Sequence, residues 1–256
     1  MARIQASFTT YVGERPHTRG VVLDRRNTTP ELSASEFATF AGAAHRPEAI
    51  AFGKIALVGR DGVAVTQTNL AGASAPVFCG NATAAALSFL CKDGPYISTV
   101  SAHEKSYEVR ASVNAGLVTQ TWMLPRTRVV ERWWRERRVL LVDDLNPYAL
   151  VIGTLPDGIE PEAARHELLG ESLAAKLAVI TQHTIEFYNT NGRHGAAPQT
   201  GIASMALAAR LVPWFAEQML GMPSLPQITE MKDGRLAIAM PSVRVELSAL
   251  ALPVAA

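Results

Sequence analysis

Three places in the chain carry residue types suited to moving a proton beside a carboxylate. Cys79-Gly80-Asn81 opens the alanine-rich stretch CGNATAAAL, and Thr200-Gly201-Ile202 opens a second, TGIASMALA, about half a chain later. Lys54 is the third, set in the apolar run from Phe52 to Val58. A helix N-terminus presents backbone N–H groups without partners and the positive end of the helix dipole, which together hold a carboxylate or a carbanion delocalised into one. Glycine after the first residue lets a ligand approach the backbone. Proton abstraction beside a carboxylate depends on stabilising an enolate-like intermediate, so two such termini facing each other would make an amide-lined slot for an acidic compound. Cys79 offers a thiol of the kind a helix start activates, whereas Thr200 can only hydrogen-bond at neutral pH. The pair is therefore not a symmetric two-thiol arrangement. Lys54, flanked by apolar residues, is the kind of desolvated amine that serves as an acid or base. Each feature also has a purely structural reading: two buried alanine-rich helices, a cysteine acting as a small hydrophobe, a lysine pointing to solvent.

The elements that must position these residues are mostly strands. Thr29-Pro30-Glu31 combines a capping residue, a proline at the first helical position and an early acid, predicting a helix towards Ala44. Phe52 to Val58 and Gly62 to Gln67 read as a hairpin around Gly59-Arg60-Asp61-Gly62. Further strands are expected at Ser106 to Val113, Leu117 to Met123, Val139 to Val142, Ala149 to Gly153 and Thr184 to Tyr188, with two more at Leu236 to Met240 and Arg244 to Leu247. Between Pro161 and Ile180 leucines and alanines recur at helical spacing. Strands outnumber helices and hairpins interrupt them, which gives an α+β fold with mixed or antiparallel sheets. At 256 residues the chain is long for one core and comfortable for two. The expected boundary is at 120/121, with Lys54 and Cys79 in residues 1–120, Thr200 in residues 121–256, and the last strands returning to the first domain.

These segments carry a family resemblance. PVFCGNATAAAL and HGAAPQTGIASMALAA resemble the two half-sites of the diaminopimelate epimerase fold, and the threonine-glycine form of the second is similar to the PrpF-type branch, the methylaconitate isomerase and oxalomesaconate tautomerase family. HTRGVVL, FGKIALVG, LVDDLNPYALV and LAIAMPSVRVEL resemble further segments of that family in the same order. The resemblance implies two pseudo-symmetric domains, each a sheet wrapped around a central helix, with the active site in the cleft between them. It implies a cofactor-independent isomerase that shifts a proton across an allylic system in a small unsaturated carboxylate or polycarboxylate, with no metal. Lys54 and Cys79 would be the acid/base residues. Thr18, Arg19, Ser74, Gly80, Asn81, Asn146, His194, Thr200, Gly201 and Ile202 would bind substrate. The chain departs from the family pattern at Phe78, where asparagine is usual, in the early loop Arg15-Pro16-His17-Thr18-Arg19-Gly20, and at Met240-Pro241-Ser242-Val243.

Charge argues against some partners. Lys and Arg total 24 against 23 Asp and Glu, so no long-range field favours a polyanion. Arg126 to Arg138 holds six arginines with Trp133 and Trp134, but Glu131 and Glu136 interrupt the run, and it fits a paired surface or a homodimer contact better than nucleic acid. MARIQASFTT lacks a signal-peptide core and no long uncharged apolar run occurs, so the expected location is the cytoplasm and no membrane is expected as a partner. Cys79 and Cys91 suggest neither a disulfide framework nor a zinc site. Two rival functions stand beside the isomerase: a one-base dehydratase or an amino-acid epimerase of the same fold, and a non-catalytic carboxylate-binding protein.

Overall fold

Alternating buried and exposed residues build the first half as strands, and one helix of small residues fills the space they enclose. The computed structural model describes residues 5–12, 14–26, 52–69, 74–91, 93–102, 105–125, 127–189, 192–193, 198–220, 222 and 224–249. The helix expected from Thr29 lies outside them, as does His194. The chain divides into two units, Met1–Gln120 with Pro241–Ala256, and Thr121–Met240.

In the first unit the strands are β1 (Gln5–Val12), β2 (Arg15–Asp24), β3 (Phe52–Val58), β4 (Val63–Asn69), β5 (Ser74–Pro76), β6 (Gly94–Ala102), β7 (Lys105–Asn114) and β8, which begins at Leu117 and runs to Leu124. Their order is β1-β2-β3-β4-β6-β7-β8, with β5 beside β4. The last strand of the chain, β16 (Leu236–Ala249), lies next to β8 and also pairs with β1, so the sheet closes on itself. Closure removes the free edges that an open sheet would expose. The sheet is mixed: β2–β3 and β4–β6 are parallel, while β1–β2, β3–β4 and β6–β7 are antiparallel. Helix α1 (Gly80–Leu90) packs against β1 to β4 and β7, and every residue from Gly80 to Leu87 is buried. A helix buried all round inside a ring of strands has room only for small side chains, which explains its alanines.

The second unit holds an open sheet of order β14-β13-β12-β11-β10-β9, formed by β9 (Val129–Trp134), β10 (Arg137–Asp144), β11 (Asn146–Ile152), β12 (Lys176–Ile180), β13 (Ile185–Asn189) and β14 (Gly192–Arg193). Helix α2 (Pro161–Leu169) connects the parallel pair β11–β12. After β14 come α3 (Gln199–Leu211), the short α4 (Pro213–Gln218) and β15 (Gln227–Glu230), which pairs with the start of β16. One face of the sheet, with Val139, Ala149, Val151, Leu177 and Val179, packs on Ala164 and Leu168 of α2. The opposite face meets α3: a Cβ at Gly201 would come within 2.5 Å of the Phe187 ring.

Here the structure corrects the sequence reading. The helical spacing from Pro161 to Ile180 yields a helix only to Leu169; Gly170 follows at φ 75°, and Lys176–Ile180 is a strand with every residue buried. A strand covered on both faces is a continuous apolar run, which periodicity does not separate from a buried helix. The two terminal strands expected separately are one strand of 14 residues. The arginine run becomes the β9–β10 hairpin, turning at Arg135 and Glu136 with φ 46° and 62°. Its arginines pair locally: Arg135 with Glu167 at 2.8 Å, and Arg138 with Glu131 at 2.6 Å while stacking 3.7 Å over the Trp214 ring. Trp133 is left 69% exposed.

Candidate functional site

Each unit gathers buried polar side chains where its central or covering helix begins. In the first unit the β2–β3 register sets Gly20 beside Lys54, and β3–β4 sets Lys54 opposite Gln67. Paired residues share a face of the sheet, and residues two apart share it too, so Thr18, Gly20, Lys54 and Gln67 lie together. That face looks at α1, because Asn81 Nδ2 donates to Thr18 Oγ1 at 3.0 Å. Lys54 is 9% exposed and Gln67 2%, and Lys54 Nζ donates to Gln67 Oε1. A buried ammonium needs such an acceptor. Gly20 is required by the packing: a Cβ there would overlap the Lys54 carbonyl oxygen and the Phe8 ring.

Cys79 is the N-cap of α1, half-buried, with extended backbone and no side-chain capping bond. The first intrahelical bond runs from Thr83 N to Cys79 O at 2.9 Å, so the N–H groups of Gly80, Asn81 and Ala82 have no carbonyl partner within the helix. Gly80 O accepts from Gln120 Nε2 at 3.0 Å, which ties the helix start to β8. Asn81 Nδ2 also donates to His17 Nδ1 at 2.7 Å, leaving the proton of a neutral His17 ring on Nε2. Asn81 Oδ1 is buried and, among the described residues, accepts no hydrogen bond. Phe78 is fully buried in edge contact with Tyr107, at 5.3 Å between ring centroids, and belongs to the core.

In the second unit Thr200 is 3% exposed and its hydroxyl lies 3.3 Å from that of Tyr148 on β11. Asn146, two residues earlier on the same face, is 1% exposed. Thr200 differs from Cys79 in position: α3 is capped by Pro198, and Thr200 is already its second residue.

Several expectations do not hold as stated. Gly201 N and Ile202 N both donate to Pro198 O, at 2.9 and 3.1 Å, the first by a tight i→i−3 bond and the second by the ordinary first α-helical bond, so both amides expected to bind substrate have a partner within the helix start. Gly201 is required by the packing, since a Cβ there would collide with the Phe187 ring. Arg19 alternates with Thr18 along β2 and so projects from the opposite face. Ser74 is placed by its backbone, opposite Thr68. Sequence reading passed over His17, Gln67, Tyr148, Lys176 and Asn189. The signal for Gln67 was present in the pattern, since a hairpin register through Gly59–Gly62 sets it across from Lys54.

Among the described residues no group of three or more His, Cys, Asp or Glu side chains is placed to hold a metal, and no helix is long and apolar enough to cross a membrane. No protein-family model matches the chain, and no curated protein does. Solved structures do. A protein described as a predicted epimerase from Pseudomonas aeruginosa superposes with a TM-score of 0.62 at 13% identity, over 98% of this chain and 100% of that one. A phenazine biosynthesis protein of the PhzF family from Bacillus anthracis gives 0.59 at 10% identity, over 98% and 100%. A probable proline racemase from Agrobacterium radiobacter, solved with carbonate, gives 0.52 at 11% identity, over 97% and 93%. Such likenesses at such low identity are likenesses of architecture, and with the helix enclosed by a mixed sheet they establish that the chain has the diaminopimelate epimerase-like fold.

Proposed function

We propose that the protein is a cofactor-independent isomerase that moves a proton within a small unsaturated carboxylate or polycarboxylate, in the manner of the PrpF-type family. The observation that carries this reading is the buried Lys54, held by Gln67 on the strand face that meets the start of α1. Lys54 and Cys79 are the two proton carriers. One, in its basic form, removes a proton from the carbon next to the carboxylate, and the electron pair moves into that group as an enolate. The N–H groups of Gly80 and Asn81 stabilise the added oxygen charge. The other carrier returns a proton at the far end of the allylic system, so that the double bond shifts and the formula is unchanged. Thr18 anchors a carboxylate oxygen through its hydroxyl group.

The test is hydrogen exchange in deuterated water with a panel of unsaturated di- and tricarboxylates and amino acids, comparing the native chain with Lys54→Ala and Cys79→Ala. Deuterium uptake without mass loss, abolished by either substitution, is the expected result. Loss of water would identify the one-base dehydratase instead, and exchange only into amino acids would identify an epimerase. Carboxylate binding without any exchange would make the protein a binding scaffold, and exchange untouched by both substitutions would remove Lys54 and Cys79 from the mechanism.

A further inference from the structure

The α3-facing side of the second unit's sheet contains an amine that the reaction above does not use. Lys176 begins β12 and is 8% exposed. It stands beside Tyr148 in the parallel β11–β12 register, its Nζ 5.9 Å from the ring centroid. Extending the β12–β13 register one step beyond its last pair, Leu177–Tyr188, sets it across from Asn189, also 8% exposed. Lys54 holds the same place in the first unit, beside Gly20 across a parallel pair and opposite Gln67 across an antiparallel one. The sequence repeats with the topology. GKIALVGRDGVAVTQTN, residues 53–69, and AKLAVITQHTIEFYNTN, residues 175–191, align without a gap, placing Lys54 on Lys176, Gln67 on Asn189 and Thr68-Asn69 on Thr190-Asn191. In each unit the next helix follows: α1 after the first copy and α3 after the second.

Burying an ammonium is costly unless it is paired or hydrogen-bonded, and two units with different packing around them both retain one at the same register. Around Lys176 the same face carries the hydroxyls of Tyr148 and Thr200 and the carboxamides of Asn146 and Asn189, all buried groups able to donate hydrogen bonds. We propose that Lys176 is the carboxylate-holding residue of the second unit, its ammonium pairing with a carboxylate group of the ligand. That this ligand is the substrate rests on the isomerase reading; that the site takes a carboxylate does not. Asp144, in register with Asn146 and 5% exposed, is a buried carboxylate at the same end of this face.

Tricarballylate, a saturated tricarboxylate with no double bond to shift, is the probe. Its binding to the full chain is measured by titration calorimetry for the native protein, Lys176→Met and Lys176→Arg. Lys176→Met is expected to weaken binding by about tenfold or more and Lys176→Arg, which keeps the charge, by no more than about threefold. With a reacting substrate Lys176→Met raises KM more than it lowers kcat. If Lys176→Met does not fold, the charge-neutral pair Lys176→Met with Asp144→Asn carries the same comparison. Unchanged binding in Lys176→Met overturns the proposal, and so does failure of the native chain to bind tricarballylate. Lys176-dependent binding without proton exchange by the native chain supports this proposal and sinks the isomerase reading; exchange with Lys176-independent binding does the reverse.

Discussion

Lys54 donates to the side-chain carbonyl of Gln67, the residue directly opposite it on the neighbouring antiparallel strand. The amine is thereby aimed along the face of the sheet that meets α1, and a residue with no acid or base of its own fixes where the amine proposed as proton carrier points. Gln67 is a positioning residue in this arrangement. Gln67→Leu keeps the volume and removes the acceptor, and the expected result is a fall of roughly 10- to 100-fold in kcat for proton exchange with KM changed much less. Gln67→Asn, which keeps a shorter acceptor, should recover part of the rate. Equal rates for the native chain and Gln67→Leu would show that the contact does not orient the amine.

Gly20 lets β2 and β3 approach at the level of Lys54. Because an added Cβ would collide with backbone and not only with a flexible side chain, Gly20→Ala must part the two strands. The expected cost is about 2–4 kcal/mol in urea unfolding, with proton exchange reduced as Lys54 shifts. A loss under about 0.5 kcal/mol would mean that the strands yield easily there.

The hydroxyls of Tyr148 and Thr200, 3.3 Å apart and both buried, link β11 to the second residue of α3. Tyr148→Phe and Thr200→Val should each cost about 1 kcal/mol, and the double variant less than their sum by about 0.5–1 kcal/mol. Additivity in the urea midpoints would show that the hydroxyls do not bond in solution.

Acid should loosen the contact between the β9–β10 hairpin and α4 through Glu131. Its carboxylate accepts from the Trp214 indole at 2.9 Å and from Arg138, and these bonds hold its pKa below the usual glutamate range. A carboxylate with a depressed native value contributes stability above its unfolded pKa and loses it as pH falls through the native value. Below about pH 4, then, the native chain should lose this contribution and Trp214 emission should change. Glu131→Gln should flatten both responses. An acid-side profile identical in the two proteins would remove Glu131 from the balance.

The sequence was most legible where one residue's environment is set by its neighbours in the chain. Phe52–Val58 read as a strand and is one, and Cys79 read as a helix start and caps α1. It was least legible where an apolar run is covered from both sides. Lys176 sat inside a stretch whose leucines and alanines fit a helix, and only the stop at Gly170 and the sheet beyond it make Lys176 the counterpart of Lys54.

What the sequence by itself determined was the kind of protein: mixed α+β, with two alanine-rich helices opened by Cys79-Gly80 and Thr200-Gly201 and a lysine in an apolar strand. Residue type, period and glycine placement act locally, so they survive without coordinates. Tertiary structure decided which groups meet. Strand register put Gln67 against Lys54 and turned Arg19 away from Thr18, and the tight first turn of α3 closed the amides of Gly201 and Ile202. Register and capping depend on partners distant in the chain, and a shift of one residue moves every side chain to the other face.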